Sequence, residues 1–303
     1  MNAIIQTGFG VPSRVLHPAT LPMPTPRAGE VRVRVVAASL NTPDWLATLG
    51  RPWLIRPMFG WFSPRTPVRG SDFAGYVDAL GPGVHDLAVG DAVFGSCGVD
   101  PFVSGYAGTF RTHTVAPAEL VARIPPGLSF DGAAASVMSG VVALQALRDV
   151  AKVRPGEQVL INGASGGIGT FAVSLARSMG AEVTAVCSAS NAALVRELGA
   201  ARVLDYATED YATSDRRYDV ILDNVANHRP GASMRALTPG GRLLMNSVGP
   251  SAWWGPLPWL LELAFTRSSR IHTVTHAPTR ANLEAIGAAI VDGRARCVID
   301  EVF

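Results

Sequence analysis

Between Gln158 and Gly169 the chain reads Gln-Val-Leu-Ile-Asn-Gly-Ala-Ser-Gly-Gly-Ile-Gly, an apolar run that ends in a glycine-rich turn. Phe171, Val173, Leu175 and Ala176 follow, and their spacing predicts a helix over Thr170 to Met179. Strand, tight turn and helix in that order present free backbone N–H groups at a helix N-terminus, where an anion such as a pyrophosphate binds. Gly163, Gly166, Gly167 and Gly169 let the main chain turn sharply and approach such a group closely. A plain strand–helix turn has the same signature, and one glycine fingerprint does not separate the two.

The chain beyond the turn separates them. Glu182 to Val186 is a second strand, reached after a helix long enough for a right-handed crossover. Asn191 to Leu198 reads as a helix closed by Gly199, Val203-Leu204 as a third strand, and Tyr218 to Leu222 as a fourth that ends at Asp223. Arg242 to Met245, opened by Pro239-Gly240-Gly241, is a fifth. Strands and helices alternating through short loops predict a doubly wound parallel sheet, an α/β fold whose glycine loop holds a dinucleotide.

The first part of the chain has another texture. Val31 to Ala37 alternates Arg32 and Arg34 with valines, as a half-exposed strand does. Turn signals such as Gly81-Pro82-Gly83 and Val89-Gly90-Asp91 recur, which predicts short strands in a barrel-like domain. Ile124 to Gly127 reads as its exit, followed by a helix from about Asp131 to Val150 and a turn at Arg154-Pro155-Gly156. Thr279 caps a helix that runs to Gly293, and Arg296 to Ile299 reads as a strand. The expected division is 1–124, 125–275 and a shortened return segment, 276–303.

At 303 residues there is room for two domains, and a net charge of +2 without runs of one sign gives nucleic acid or anionic lipid no footing. Cys97, Cys187 and Cys297 are isolated, and an odd count argues against a disulfide framework. Met1 to Gly10 lacks the basic and apolar regions of a signal peptide, so a cytoplasmic location is expected. Trp253 to Phe265 is apolar but too short to span a bilayer, and reads as a buried lid or a subunit contact.

Ordered pieces along the whole chain carry a resemblance: Asn41 to Trp45, Gly70 to Gly75, Val89 to Gly95, Lys152 to Gly156, Asn162 to Gly169, Leu198 to Ala200, Asp205-Tyr206, Tyr218 to Asp223 and Leu237 to Gly241. In these the chain resembles the medium-chain dehydrogenase/reductase superfamily, and within it the zinc-independent quinone oxidoreductase branch. The resemblance implies a GroES-like β-barrel catalytic domain, a Rossmann domain, an active site in the cleft between them, and a homodimer joined near Ile271 to Thr275.

Three departures carry information. At the positions where zinc members hold the catalytic metal with Cys, His and Cys, this chain has Asn41, Ser71 and Met138, which supply neither thiolate nor imidazole. Where many quinone and enoyl-thioester reductases carry a tyrosine, it has Pro52 beside Trp53. Relatives continue for a helix and strand beyond the motif read here as Val298 to Asp300, whereas this chain ends at Phe303.

Selection of NADH normally needs an acid at the end of the second strand, to accept from the ribose hydroxyls. That place reads Cys187-Ser188-Ala189-Ser190-Asn191, which favours NADPH, although Ser190 or Asn191 also serves as an ordinary helix cap. The expected cofactor contacts are Ser165, Gly166, Gly167, Ile168, Ser188, Asn191, Tyr206, Asn224 and Ser247. Without a Lewis acid the reactions left are hydride deliveries to quinones or enones conjugated to a carbonyl. Asn41 is the expected donor to a developing oxyanion, Asp44 its orienter or the holder of a water, and Trp53 a flat wall for a small-molecule substrate. Asn41 also fits as a helix cap with Pro43 in the first turn. His113, His272 and His276 have no companions at metal spacing. Two alternatives stay open: a nucleotide-binding protein without turnover, and an alcohol or aldehyde oxidoreductase.

Overall fold

The computed structural model describes residues 1–51, 56, 60–61, 63–98, 108–247, 269–274 and 276–303. Pro52, Trp53 and the Trp253 to Phe265 stretch lie outside them. The described residues form two units: Met1–Met138 with Pro278–Val291 and Ile299–Phe303, and Ser139–Ala277 with Asp292–Val298.

In the first unit β1 (Asn2–Gln6) pairs antiparallel with β2 (Leu16–Thr20). β3 (Glu30–Ala38), helix α1 (Thr42–Leu49), β4 (Asp72–Leu80), β5 (Ala92–Ser96), β6 (His113–Pro117), β7 (Val121–Arg123) and helix α2 (Phe130–Ser136) follow. The larger sheet is antiparallel throughout, in the order β6-β3-β4-β5-β7. Its alternation is the one the valine–arginine pattern predicts: Val31 and Val33 are buried with Phe73, Val77, Val93 and Val121, while Arg32 leans outward to Asp78 at 2.7 Å.

The second unit opens with α3 (Ser139–Leu144), which widens into a π-helical stretch over Gln145–Val150. β8 (Gln158–Asn162), α4 (Gly167–Ser178), β9 (Glu182–Cys187), α5 (Ala192–Glu197), β10 (Arg202–Asp205), β11 (Tyr218–Asp223), α6 (Pro230–Arg235), β12 (Leu237–Met245) and β13 (Ile271–Thr273) come next. All six strands are parallel, in the order β10-β9-β8-β11-β12-β13. This is a Rossmann sheet, whose strand order reverses between β8 and β11. The last helix, α7 (Arg280–Val291), belongs to the first unit, where the Arg280 guanidinium donates to the Val121 and Ala118 carbonyls at 2.9 and 2.6 Å.

Three elements differ from expectation. The helix expected over 131–150 breaks after Ser136, because the Met138 N–H donates to the buried Asp72 carboxylate (3.1 Å) rather than to a helical carbonyl. The helix expected from Thr170 starts at Gly167; glycines read as breakers, yet the Thr170 N–H already closes a turn on the Gly166 carbonyl at 2.9 Å. Arg296 to Ile299 is no strand, and its Arg296 N–H is taken by the Ser174 hydroxyl on α4 at 3.0 Å. Among the described residues no single helix is long and apolar enough to cross a membrane.

Candidate active site

β8 ends at Asn162 and the chain turns through Gly163 at φ +75°. Gly166 caps α4 with extended backbone, φ −79° and ψ 172°. The N–H groups of Gly167, Ile168 and Gly169 have no carbonyl one turn earlier to donate to, so they face an incoming anion. The glycines are there for different reasons. A Cβ on Gly169 would overlap the Gly163 carbonyl oxygen, and one on Gly163 would lie 2.8 Å from the Val225 side chain. Both are demands of the fold. A Cβ on Gly166 would meet nothing closer than 3.5 Å, although Gly166 and Gly167 are exposed. A cradle that a side chain would fill, and that the fold itself does not need, fits a dinucleotide pyrophosphate.

The other expected cofactor residues lie along the C-terminal ends of neighbouring strands. Ser165 Oγ accepts from the Asn191 amide at 3.1 Å, which ties the glycine loop to the segment after β9. The Ser188 and Ser190 hydroxyls bond each other at 2.9 Å. Tyr206 is exposed, and its N–H donates to the Cys187 carbonyl at 3.2 Å. Asn224 donates to the Asn162 carbonyl at 3.1 Å and accepts from the Asn246 amide at 3.0 Å; Ser247 follows directly. At the point of reversal the Asn162 amide donates to Asp223 Oδ1 and to Asn227 Oδ1, both at 2.8 Å. Ligands bind at such a reversal in parallel sheets. Burial and the Asp205 carboxylate push the Cys187 thiol pKa up, and the Arg196 guanidinium pulls it down. The end of β9 thus feels charges of both signs.

The first unit holds a second polar cluster. Asp72, fully buried at the start of β4, is its hub. Its Oδ2 accepts from the Asn41 amide (2.8 Å), the Ser39 hydroxyl (3.0 Å) and the Met138 N–H (3.1 Å), and its Oδ1 accepts from the Ser71 hydroxyl (2.7 Å). The residues at the three zinc-ligand positions are therefore gathered around one carboxylate, to which they supply a side-chain amide, a hydroxyl and a main-chain N–H. Asn41 stands at the N-cap position of α1, where its alternative role placed it, and its N–H is taken by the Asp44 carboxylate of the first turn. Asp44 is buried and receives the Asn41 N–H at 3.0 Å and the Gly70 N–H at 3.1 Å, so it fixes the backbone that carries the Asn41 amide. Burial raises the Asp72 carboxyl pKa to about 6 against the pull of its four donors. Burial, helped by the neighbouring Asp72, likewise raises Asp44 to about 6 against the two backbone N–H groups. Among the described residues no group of three His, Cys, Asp or Glu side chains is placed to hold a metal ion.

The model for the GroES-like domain of alcohol dehydrogenases matches residues 27–126, and that for zinc-binding dehydrogenases matches residues 167–273. A chloroplast envelope quinone oxidoreductase homolog of Arabidopsis thaliana is 31% identical over 310 residues, covering 99% of this chain and 90% of that protein. The chain belongs to the medium-chain dehydrogenase/reductase superfamily, among its quinone oxidoreductases. It is an oxidoreductase of the fold that binds a nicotinamide cofactor. The quinone oxidoreductase of Coxiella burnetii superposes with a TM-score of 0.85 at 27% identity, over 99% of this chain and 90% of that one. A mycobacterial protein solved with NADPH gives a TM-score of 0.76 at 25% identity, over 99% and 91%. A mycocerosic acid synthase-like polyketide synthase of Mycobacterium tuberculosis is 34% identical over 226 residues, and the match spans 10% of its length.

Within this superfamily the residue that sequence reasoning passed over is Asp72. It sat inside the Gly70 to Gly75 motif as one letter of a spacing, although an acid directly before the apolar Phe73 and Ala74 is a signal of its own. Asn162 and Asp223, which join β8 to β11, were likewise read only as strand ends. Trp53 lies outside the described residues.

Proposed function

We propose that this oxidoreductase transfers hydride from NADPH to a quinone or to an enone conjugated with a carbonyl, without zinc. The observation that carries the proposal is the donor set around Asp72. An amide, a hydroxyl and the Met138 N–H gathered on a buried carboxylate are a hydrogen-bond network, and the side chains of Asn41, Ser71 and Met138 are not the thiolate and imidazole set that makes a Lewis acid site. Acceptors that need no metal activation are those already electrophilic.

Reduced nicotinamide, when bound, supplies the hydride. The chain's part is to hold the dinucleotide on the N–H groups of Gly167 to Gly169 and to meet the charge that develops on the acceptor oxygen. Asn41 has an N–H for that purpose. Its two amide hydrogens point about 120° apart, so acceptors met straight on stand about 5 Å from each other. Ser39 Oγ and Asp72 Oδ2 are only 3.0 Å apart. In this proposal one N–H keeps that pair and the other turns to the substrate oxyanion. NADPH is favoured because no carboxylate follows β9 and the Asp205 carboxylate is engaged by the Ala207 N–H at 3.0 Å. A similar protein was solved with NADPH.

The test is NADPH oxidation by chelator-treated protein against a benzoquinone, an enone, an aldehyde and a primary alcohol with NADP⁺. Turnover with the first two alone is expected. Asn41→Ala should slow it by about a hundredfold to a thousandfold, the usual cost of one oxyanion donor, with NADPH affinity unchanged. Oxidation of the simple alcohol without quinone or enone reduction would refute the proposal.

A further inference from the structure

One hydroxyl beside the glycine loop has no structural occupation among the described residues. Other helical serines of this protein have partners: Ser136 bonds the Ala133 carbonyl at 2.8 Å, Ser174 that of Phe171 at 3.0 Å, Ser178 that of Leu175 at 2.8 Å, and Ser233 the Tyr211 hydroxyl at 2.9 Å. Ser139, half-buried at the first position of α3, makes no side-chain hydrogen bond among the described residues. Its hydroxyl is directed elsewhere. A Cβ built on Gly167 would stand 2.9 Å from Ser139 Oγ and 3.7 Å from Ser139 Cβ. The hydroxyl therefore hangs over the exposed first turn of α4, on the side where a side chain of residue 167 would project. Apart from its chain neighbours and its own helix backbone, no described residue but Ser139 lies within 4 Å of that position.

We propose that the Ser139 hydroxyl donates to the pyrophosphate of the bound dinucleotide beside the N–H groups of Gly167 and Ile168, and that residue 167 is glycine to leave room for it. This rests on the cofactor reading above. A phosphate oxygen held by the first turn of α4 is shared by an N–H from one side and an O–H from another, and a hydrogen bond to a charged acceptor is stronger than one between neutral groups. Serine at 139 then contributes affinity common to every pyrophosphate ligand and nothing to the choice between NADPH and NADH.

Calorimetric titration of the full chain with NADPH, NADH, ADP-ribose and adenosine 2′-monophosphate tests this. Ser139→Ala should weaken the three pyrophosphate ligands alike, by about tenfold for one charge-assisted bond. It should leave adenosine 2′-monophosphate and the melting temperature of the unliganded protein unchanged. Ser139→Thr, which keeps the hydroxyl, should recover most of the loss. Gly167→Ala should weaken ADP-ribose in the parent and do so less in a Ser139→Gly background. Equal affinities of parent and Ser139→Ala for ADP-ribose would overturn this inference and leave the cofactor reading standing. A parent chain that binds no pyrophosphate ligand would overturn both.

Discussion

The cofactor cradle of the parallel sheet is made of main chain, whereas the Asn41 cluster of the antiparallel unit is made of side chains around one buried anion. The two respond differently to substitution. In the cradle, N–H groups are positioned by a turn whose shape is set by where a Cβ can and cannot go, so one loop contains glycines that the fold requires, Gly163 and Gly169, and one, Gly166, where the fold leaves room for a side chain. In the cluster, Asp72 accepts four hydrogen bonds, all from uncharged donors, and its position depends on every donor at once. A site made of backbone tolerates changes around it. A site made of side chains transmits them.

The sharpest way to break this contrast is inside the loop. Gly169→Ala drives a methyl group into the Gly163 carbonyl and the Ala164 backbone, which cannot rotate away. A loss of about 3 kcal/mol, or roughly 5–10 °C in melting temperature, is expected. Gly166→Val, three residues earlier, has an allowed backbone angle and open space for its side chain. Its melting temperature should stay near that of the parent while NADPH binding disappears. If both substitutions unfold the protein equally, the loop is only a turn.

The cluster has its own signature in pH. The Asp72 carboxyl has a pKa of about 6 in the folded chain against about 3.9 when unfolded, so between those values the folded state binds the extra proton. Stability from this group is fully present below pH 4 and is lost as pH rises through 6, at about 1.4 kcal/mol for each unit the pKa is raised. Asp44 acts in the same direction. Urea midpoints measured from pH 4 to 7.5 should fall less steeply for Asp72→Asn than for the parent. Parallel profiles would mean that the carboxylate is better solvated than its burial implies.

The same contrast explains what could be read in advance. Alternating valines and arginines, glycine turns and short apolar runs report main-chain geometry, and they were sufficient for both folds and for the loop from Ser165 to Ile168. The hub at Asp72 was not legible. Beside its neighbour Ser71, its partners come from two distant stretches, Ser39 with Asn41, and Met138, and only the folded chain brings them to one carboxylate. The helix break at Met138 is a consequence of that hub, and for the same reason local propensity predicted one continuous helix there. Ser139 was invisible in a different way: its interest lies in a bond it does not make.

The smallest expected effect concerns the edge of the cradle, where main chain gives way to side chains. After β9 the Ser188 and Ser190 hydroxyls bond each other, and Asn191 is held by Ser165. These groups can turn to a 2′-phosphate as donors, while the Asp205 carboxylate on the neighbouring strand and Arg196 on α5 set opposing fields at Cys187. Ser188→Asp adds an acid at the place where NADH-selecting sheets carry one, able to accept from ribose hydroxyls and to repel a phosphate. The ratio of NADPH to NADH affinities should move toward NADH by about tenfold, close to 1.4 kcal/mol, with ADP-ribose affinity changed far less. Asp205→Asn should move the ratio the other way by a smaller factor. A parent that already prefers NADH tenfold, with Asp205→Asn abolishing that preference, would assign cofactor choice to β10 rather than to the segment after β9.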